Sequence, residues 1–159
     1  QNHIVSWDAW SQRAGGTCEI RLKDPQNKES KDKLEKIMHE LNVDTENGIL
    51  EVLTGEDART IRKGFSKADY VLVAHKGYEI RDDVIGDYMT TALVQKAQHG
   101  FSEEFPEMRA SFCIEGPGIP AGLDIVQCNL VDIAPTLAAI MGIPMPSAEG
   151  ENLCERFGN

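Results

Sequence analysis

The sequence predicts an α/β fold, because strand-like and helix-like patterns alternate within residues 17–78. Residues 17–23 alternate between apolar and polar types, which is the period of a half-buried strand. An amphipathic helix follows, and two short apolar runs at 49–53 and 70–74 have the length and flanking turns of strands. The stretch therefore predicts a compact β-α-β-α-β unit.

Two helices in this unit have recognisable starts. The first carries an apolar stripe at i, i+3, i+4 and i+7 that should pack on the sheet: Leu34, Ile37, Met38 and Leu41. Asn27 or Ser30 can cap it. A second, short helix should begin after Thr54 as its cap and end at Gly64.

The flanking segments predict less regular structure. Before the strand at 17–23, the spacing of Ile4, Trp7 and Trp10 suits a short helix or an irregular packing segment, which Gly15-Gly16 breaks. Residues 79–98 are ambiguous, although 88–98 can form a helix.

The C-terminal half predicts two strands, one helix and a polar tail. The strands are expected at 110–114 and 123–126. Asp132 can cap the helix, and Gly142 should stop it. Its apolar stripe would be Ile133, Leu137, Ile140 and Met141. The tail, 146–159, should lie on the surface.

Composition limits the possible partners. The chain of 159 residues, 41% of them hydrophobic, is long enough for one domain or two small subdomains with a real core. Its net charge of −10 repels nucleic acid and anionic membranes, so we expect neither as a partner. An anionic substrate would need a local cation such as a metal ion.

Location and cysteine chemistry are constrained in the same way. There is no long apolar stretch and no signal peptide, which favours a cytoplasmic location, but a chain opening at Gln1 indicates that upstream residues are missing. The four cysteines contain no Cys-x-x-Cys pair, so we expect free thiols and no zinc-thiolate site. Cys113 lies in an apolar run and should be buried.

Three histidines are candidates for chemistry. His99 precedes Gly100, which frees the backbone and exposes the imidazole, as suits a metal ligand at a loop edge. Glu35 and His39 stand one helical turn apart, but without a third ligand a solvated helix pair explains them better. His75-Lys76 can bind phosphate, although a polar pair at a strand end is the commoner explanation.

Several short motifs occur together in the second half of the chain. The motifs are His99-Gly100, Pro-Glu-Met-Arg-Ala at 106–110, Gly-Pro-Gly at 116–118, Val-Asp-Ile-Ala-Pro-Thr-Leu at 131–137, Gly-Ile-Pro at 142–144 and Glu149-Gly150. Their order and spacing resemble the C-terminal part of type I phosphodiesterases, or nucleotide pyrophosphatases, of the alkaline phosphatase superfamily. Residues 10–24, 48–53 and 68–78 resemble the insertion that this family carries between its metal-binding motifs.

The resemblance implies an alkaline-phosphatase-like α/β fold, with the β-α-β-α-β unit as a small insertion subdomain. It also implies an active site with two divalent metal ions, usually zinc, and a threonine or serine nucleophile. His99 would be a metal ligand. The chain has no Asp-His dipeptide and no aspartate four residues before a histidine, so the Ser-Asp-His-Gly region and the nucleophile are missing. We therefore expect a C-terminal fragment that is inactive alone, holding one of about six ligands of a two-metal site.

The resemblance also suggests a division of the chain. Residues 1–13 would be a connecting segment, 14–80 a cap-like insertion, 81–98 a linker and 99–159 the C-terminal segment of the catalytic core. The substrate of the intact enzyme would be a small phosphoester or nucleotide, and the fragment should self-associate. The alternatives are a stand-alone acidic binding module, or a fragment of a related phosphonate hydrolase, sulfatase or mutase.

Overall fold

A computed structural model describes residues 4–81, 83 and 97–157 of the chain. The chain separates into two compact units, Gln1–Arg109 and Ala110–Asn159. The sequence instead suggests divisions after residues 13, 80 and 98, so the two partitions differ.

The first unit is built on an antiparallel sheet, which confirms a mixed α/β class. Its four strands lie in the order β1-β2-β4-β3, and every neighbouring pair is antiparallel. The elements are β1 (Ala9–Ala14), β2 (Thr17–Leu22), α1 (Lys28–Val43), β3 (Ile49–Thr54), α2 (Gly55–Thr60) and β4 (Tyr70–Ala74). The connection through α1 leaves a gap between β2 and β3, and β4 fills it.

The sheet carries a separate core on each face. Helix α1 covers one face, where the buried side chains are Cys18, Leu22, Leu34, Met38 and Leu72. On the other face, α2 and the loop after it contribute to a cluster of Ala58, Ala68, Val71 and Val73. Because successive side chains of a strand point to opposite faces, β4 contributes to both cores, and it is the central, most buried strand.

The predicted stripe of α1 is confirmed at three of its four positions. Leu34 and Met38 are buried and Leu41 packs against the same core, but Ile37 is 51% exposed, so its assignment to the core was wrong. The buried face continues at Ser30 instead, one turn before Leu34. Ile37 therefore lies beside the buried face of the helix, on an exposed shoulder that does not contact the sheet.

The helix caps follow the sequence closely. The Asn27 side chain accepts a hydrogen bond from the Ser30 N–H at 3.1 Å, and the Thr54 hydroxyl accepts one from the Asp57 N–H at the same distance. Both satisfy amides that lack partners at a helix start. Helix α2 ends at Thr60, however, and not at Gly64.

The opening segment corrects the prediction of a helix. Residues 9–14 form strand β1, and Ala14 pairs with Thr17, so Gly15-Gly16 is a two-residue hairpin turn. The positive φ of 71° at Gly15 suits such a turn. Trp10 lies opposite Arg21, whose guanidinium stands 5.1 Å from the indole centroid. The glycine pair therefore reverses the chain into the sheet.

The second unit contains one α-helix, α3 (Leu130–Ile140), among its described residues. The strands predicted at 110–114 and 123–126 are not formed there, because no strand of the described residues pairs with either segment. Val126 has a φ of 62°, which is incompatible with an extended strand. Cys113 is exposed, so the prediction of a buried thiol was also wrong, and the buried cysteine is Cys18.

The C-terminal tail is largely exposed, as predicted, but two of its side chains are buried. A short 3-10 helix at Leu153–Phe157 buries the side chains of Leu153 and Phe157. The Leu153 N–H donates to the Thr136 hydroxyl at 2.9 Å, and that hydroxyl donates to the Asp132 carbonyl at 2.6 Å. Two apolar side chains of an otherwise polar tail therefore pack into the second unit.

The start of α3 also differs from prediction, whereas its end does not. Asn129 is the N-cap, and Asp132 lies three residues inside the helix, where its carboxylate accepts from the Asn129 N–H at 2.8 Å. Gly142, with a φ of 70°, follows the helix as predicted.

Helix α3 buries its polar side chains and exposes apolar ones. Asp132 and Thr136 are at most 2% exposed. The exposed apolar side chains of α3 and the residues after it are Leu130, Val131, Leu137, Ile140, Met141, Ile143 and Met145. Soluble proteins seldom leave a large contiguous apolar surface open to water.

The two neighbours Met38 and Ile37 provide a direct test of the α1 packing. We expect Met38→Asp to lower the free energy of unfolding by roughly 3 kcal/mol or more, because it buries an unpaired charge. Ile37→Asp, the matched control on the exposed shoulder, should change it by about 0.5 kcal/mol or less. Urea denaturation followed by circular dichroism measures both. Equal losses for the two variants would contradict the packing described here.

Candidate functional site

His99 is held by its backbone against the β1–β2 hairpin turn, while the residue itself is exposed. The Gly16 N–H donates to the His99 carbonyl at 2.9 Å, and the His99 N–H donates to the Gln98 side chain at 3.0 Å. On the other side of the turn, the Ile80 N–H donates to the Gly15 carbonyl at 3.0 Å. The contact between His99 and the hairpin is thus made through the backbone.

Three glycines make this close approach possible. Gly100 has a φ of 76°, and a Cβ there would overlap the carbonyl oxygen of Ala14. A Cβ on Gly15 would overlap the carbonyl oxygen of His99, and one on Gly16 would overlap the ring of Phe101. The sequence assigns Gly100 only the role of freeing the backbone, whereas the structure shows that no larger residue fits.

Arg62 fixes the segment that follows His99. Its guanidinium lies 2.5 Å from the Glu103 carboxylate and 2.7 Å from that of Glu51, which lies on β3. The Arg62 side chain is only 12% exposed, but its partners differ: the Glu51 side chain is 32% exposed and the Glu103 side chain 72%, so the pair with Glu51 is the better shielded of the two. The hydrogen bond to Glu51 raises the pKa of Arg62 above its usual range, which keeps the charge in place. No pattern in the sequence identifies this residue.

The residues present fit one ligand of a metal site and not a complete site. His99 supplies one exposed imidazole, which can bind a divalent ion only together with other ligands. Within residues 4–81, 83 and 97–157, no group of three or more His, Cys, Asp or Glu side chains could hold a metal ion. Glu35 and His39 are both exposed on α1, as a solvated helix pair would be.

The His75-Lys76 pair has contacts that do not suggest phosphate binding. Lys76 forms an ion pair with Glu107, and its ammonium lies 5.6 Å from the ring centroid of Phe105. This ion pair lowers the pKa of Glu107. The lysine is thus engaged by a carboxylate and by an aromatic ring, as a polar pair at the end of β4.

Two cavities border the segment after His99. The larger, of about 320 Å³, has aromatic walls formed by Tyr78, Phe101 and Phe105. The smaller, of about 230 Å³, is lined in part by Arg62 and Gly100. Neither cavity can be predicted from the sequence, because the residues that line each one come from segments far apart in the chain.

Two motif segments of the second unit, 131–137 and 149–150, lie close together around Asp132. The carboxylate of Asp132 accepts from the Glu151 N–H at 2.9 Å as well as from Asn129, and these bonds, the Glu151 bond foremost, lower its pKa. A Cβ on Gly150 would overlap the carbonyl of Val131. Asp132 therefore acts as a structural acceptor that ties α3 to the chain after Gly150.

No protein-family model, curated protein or solved structure matches the chain. Its assignment to a family therefore stays a prediction from the motifs. Among the helices in the described ranges, none is long and apolar enough to cross a membrane.

Two glycines with similar backbone angles test the contact between His99-Gly100 and the hairpin. Gly100 and Gly77 have φ values of 76° and 87°, but nothing lies within 4 Å of a Cβ on Gly77. Gly77→Ala should cost about 1 kcal/mol of stability from backbone strain alone. Gly100→Ala should cost roughly 2 kcal/mol more, because the new methyl group displaces the hairpin.

The readout combines thermal unfolding with amide NMR. Only Gly100→Ala should move the Gly16 amide resonance, which reports the hydrogen bond to His99. If both variants lose the same stability and leave that resonance in place, the hairpin does not constrain His99.

Proposed function

We propose that this chain is the C-terminal portion of a metal-dependent phosphoric ester hydrolase, a phosphodiesterase or phosphatase of the type I phosphodiesterase/nucleotide pyrophosphatase kind. In this proposal the chain completes an alkaline-phosphatase-like α/β core, and the sheet of the first unit is its cap-like insertion. The observation that carries the proposal is the exposed His99, whose carbonyl accepts a hydrogen bond from Gly16 at the turn of the β1–β2 hairpin.

The motifs behind the resemblance have definite physical roles in this chain. Gly100 permits the contact with Ala14, Asp132 accepts two backbone hydrogen bonds, and Gly150 allows the approach to Val131. Each role needs that residue type, since a side chain would clash at the glycines and a neutral group would accept less strongly at the aspartate. These interactions give a reason for the motifs to occur together.

His99 would hold one of two divalent metal ions, zinc by the resemblance, with the other ligands on the remaining part of the enzyme. Such ions activate a nucleophile and offset the negative charge of a phosphoester. The second effect matters here, because the net charge of −10 would otherwise repel an anionic substrate. A cytoplasmic location, where thiols stay reduced, is part of the same proposal.

The isolated chain should not hydrolyse phosphoesters. It supplies one ligand and lacks the nucleophile motif, so positioning and activation of the attacking group are both missing. A chromogenic phosphodiester with added zinc or manganese is the assay. Turnover that survives repurification and that His99→Ala does not change would refute the proposal.

The intact enzyme gives the matched experiment. His99→Ala should remove about one metal ion per chain and lower kcat by a factor of roughly 10³ or more, since one ligand of the activating ion is lost. His75→Ala, at a histidine outside the proposed site, should keep both metal content and rate. A panel of phosphomonoester, phosphodiester, phosphonate and sulfate ester substrates then separates the related hydrolases.

The apolar surface of α3 supports a covering partner in the intact enzyme. We propose that the preceding part of the catalytic core covers it, and that in the isolated chain a second copy does so. The edge strand expected at 110–114 is not formed, so the expected self-association depends on the apolar surface of α3 alone. Leu130, at 83% exposed, and Met141, at 69%, are its most open α3-region side chains.

Sedimentation of the isolated chain at micromolar concentration tests the association. We expect a concentration-dependent dimer that Leu137→Lys weakens by about tenfold or more, because a charge would enter the apolar contact. Ile37→Lys, at an equally apolar but isolated position on α1, should leave the dimer unchanged. A monomer at every concentration would contradict the association.

A further inference from the structure

The larger cavity of the first unit combines aromatic walls with a rim of polar groups. Tyr78, Phe101 and Phe105 form the walls, and Met108 adds a flexible apolar side chain. The rings of Phe101 and Phe105 have centroids 6.5 Å apart and are inclined by 51°. A volume of about 320 Å³ lies at the small end of the range for ligand pockets, which suits a single ring.

Two of the three aromatic walls are held in place by glycines. The ring of Tyr78 lies where a Cβ of Gly48 would be, and the ring of Phe101 lies where a Cβ of Gly16 would be. The backbone around Tyr78 is fixed as well, because its N–H donates to the His75 carbonyl at 3.1 Å and the His75 N–H donates to Gly48 at 2.9 Å. The walls are therefore formed before any ligand arrives, which lowers the entropic cost of binding.

The charges at the rim are paired with one another. Lys76 is bound to Glu107, and Glu79 accepts hydrogen bonds from Arg13 at 3.2 Å and from Gln98 at 3.3 Å. An anionic ligand would have to displace Glu107 from Lys76, and a cationic one would have to displace Lys76 from Glu107. In either case one ion pair is lost for each ion pair gained, so a charge on the ligand adds little binding free energy. The rim therefore favours an uncharged ligand. The carboxylates can still accept a hydrogen bond from a hydroxyl group.

We propose that this cavity binds an uncharged aromatic ring that carries a hydroxyl group, a ligand of the phenol class. The ring packs against the contacting pair of Phe101 and Phe105, and beside Tyr78, where edge-to-face contacts are available. Its hydroxyl donates to a rim carboxylate. The site lies within the first unit and uses no metal ion and no phosphoester, so it does not rest on the proposed hydrolase function.

The first experiment compares three ligands on the full chain in the presence of a metal chelator. Phenol should bind with a dissociation constant on the order of millimolar, as befits so small a ligand. Cyclohexanol, which keeps the hydroxyl but lacks the aromatic face, should bind about tenfold more weakly. Benzoate, which adds a negative charge, should not compete. Amide NMR titration should place the shifts at Gly77 and Gln98.

The second experiment uses matched variants. Phe105→Leu keeps an apolar wall but removes its ring, and it should weaken phenol binding about fivefold or more. Trp10→Leu removes an exposed ring that does not line the cavity, and it should leave binding unchanged. Gly48→Ala, which pushes Tyr78 from its position, should also weaken binding.

Clear outcomes would overturn the proposal. Equal affinity for phenol and cyclohexanol would show that the aromatic walls do not select the ligand. Shifts located away from residues 76–79 and 97–108 would place any binding elsewhere. If Phe105→Leu fails to fold, the comparison of phenol with cyclohexanol on the unaltered chain still decides. Because the chelator is present throughout, failure here leaves the hydrolase proposal standing, and the reverse holds as well.

Discussion

The first unit depends on a backbone contact in which Gly15, Gly16 and His99-Gly100 approach closer than side chains would allow. The hydrogen bond of 2.9 Å from Gly16 to His99 joins the tip of a hairpin to a segment more than eighty residues later. This contact orders the candidate ligand, and through Phe101 it also shapes the larger cavity. A single steric requirement, the absence of three Cβ atoms, thus underlies both candidate sites.

Electrostatic pairs reinforce the same segment from its other end. Arg62 bridges β3 and Glu103, and Lys76 connects the end of β4 with Glu107. Exposed ion pairs contribute little to stability, so the pairs made by Glu103 and Glu107 add less than the pair of Arg62 with Glu51, whose side chains are 12% and 32% exposed. The chain after His99 is therefore anchored by backbone on one side and by charge on the other.

Local patterns in the sequence predicted local structure well. The strands β2, β3 and β4, helix α1 and the caps Asn27 and Thr54 follow from periodicity and capping chemistry, which act within a few residues. Strand β1 was missed, because the spacing of Ile4, Trp7 and Trp10 suggested a short helix or an irregular segment that Gly15-Gly16 would break. The exposed position of Ile37 depends on where the sheet ends beneath α1. The sequence of the helix alone does not contain this information.

The site was predictable only where one residue sufficed. His99 could be found from a motif. Arg62 instead pairs with Glu51 and Glu103, which are separated from it by 11 and 41 positions in the sequence, and nothing near Arg62 in the chain reveals these partners. The cavity walls likewise come from two separate segments. An apolar run such as 110–114 predicts a strand only if a neighbouring strand is available to pair with it. Among the described residues, no strand pairs with this segment.

The central position of β4 has a consequence for how the first unit folds. Strands β2 and β3 run in the same direction and meet only through β4, which is the last of the four strands in the chain. A growing chain that ends before residue 70 can form the β1–β2 hairpin and α1 but cannot join β3 to them. Since isolated hairpins are marginal in water, the sheet should gain most of its stability in one late, cooperative step. The length of chain already synthesised therefore controls when this unit becomes resistant to proteolysis.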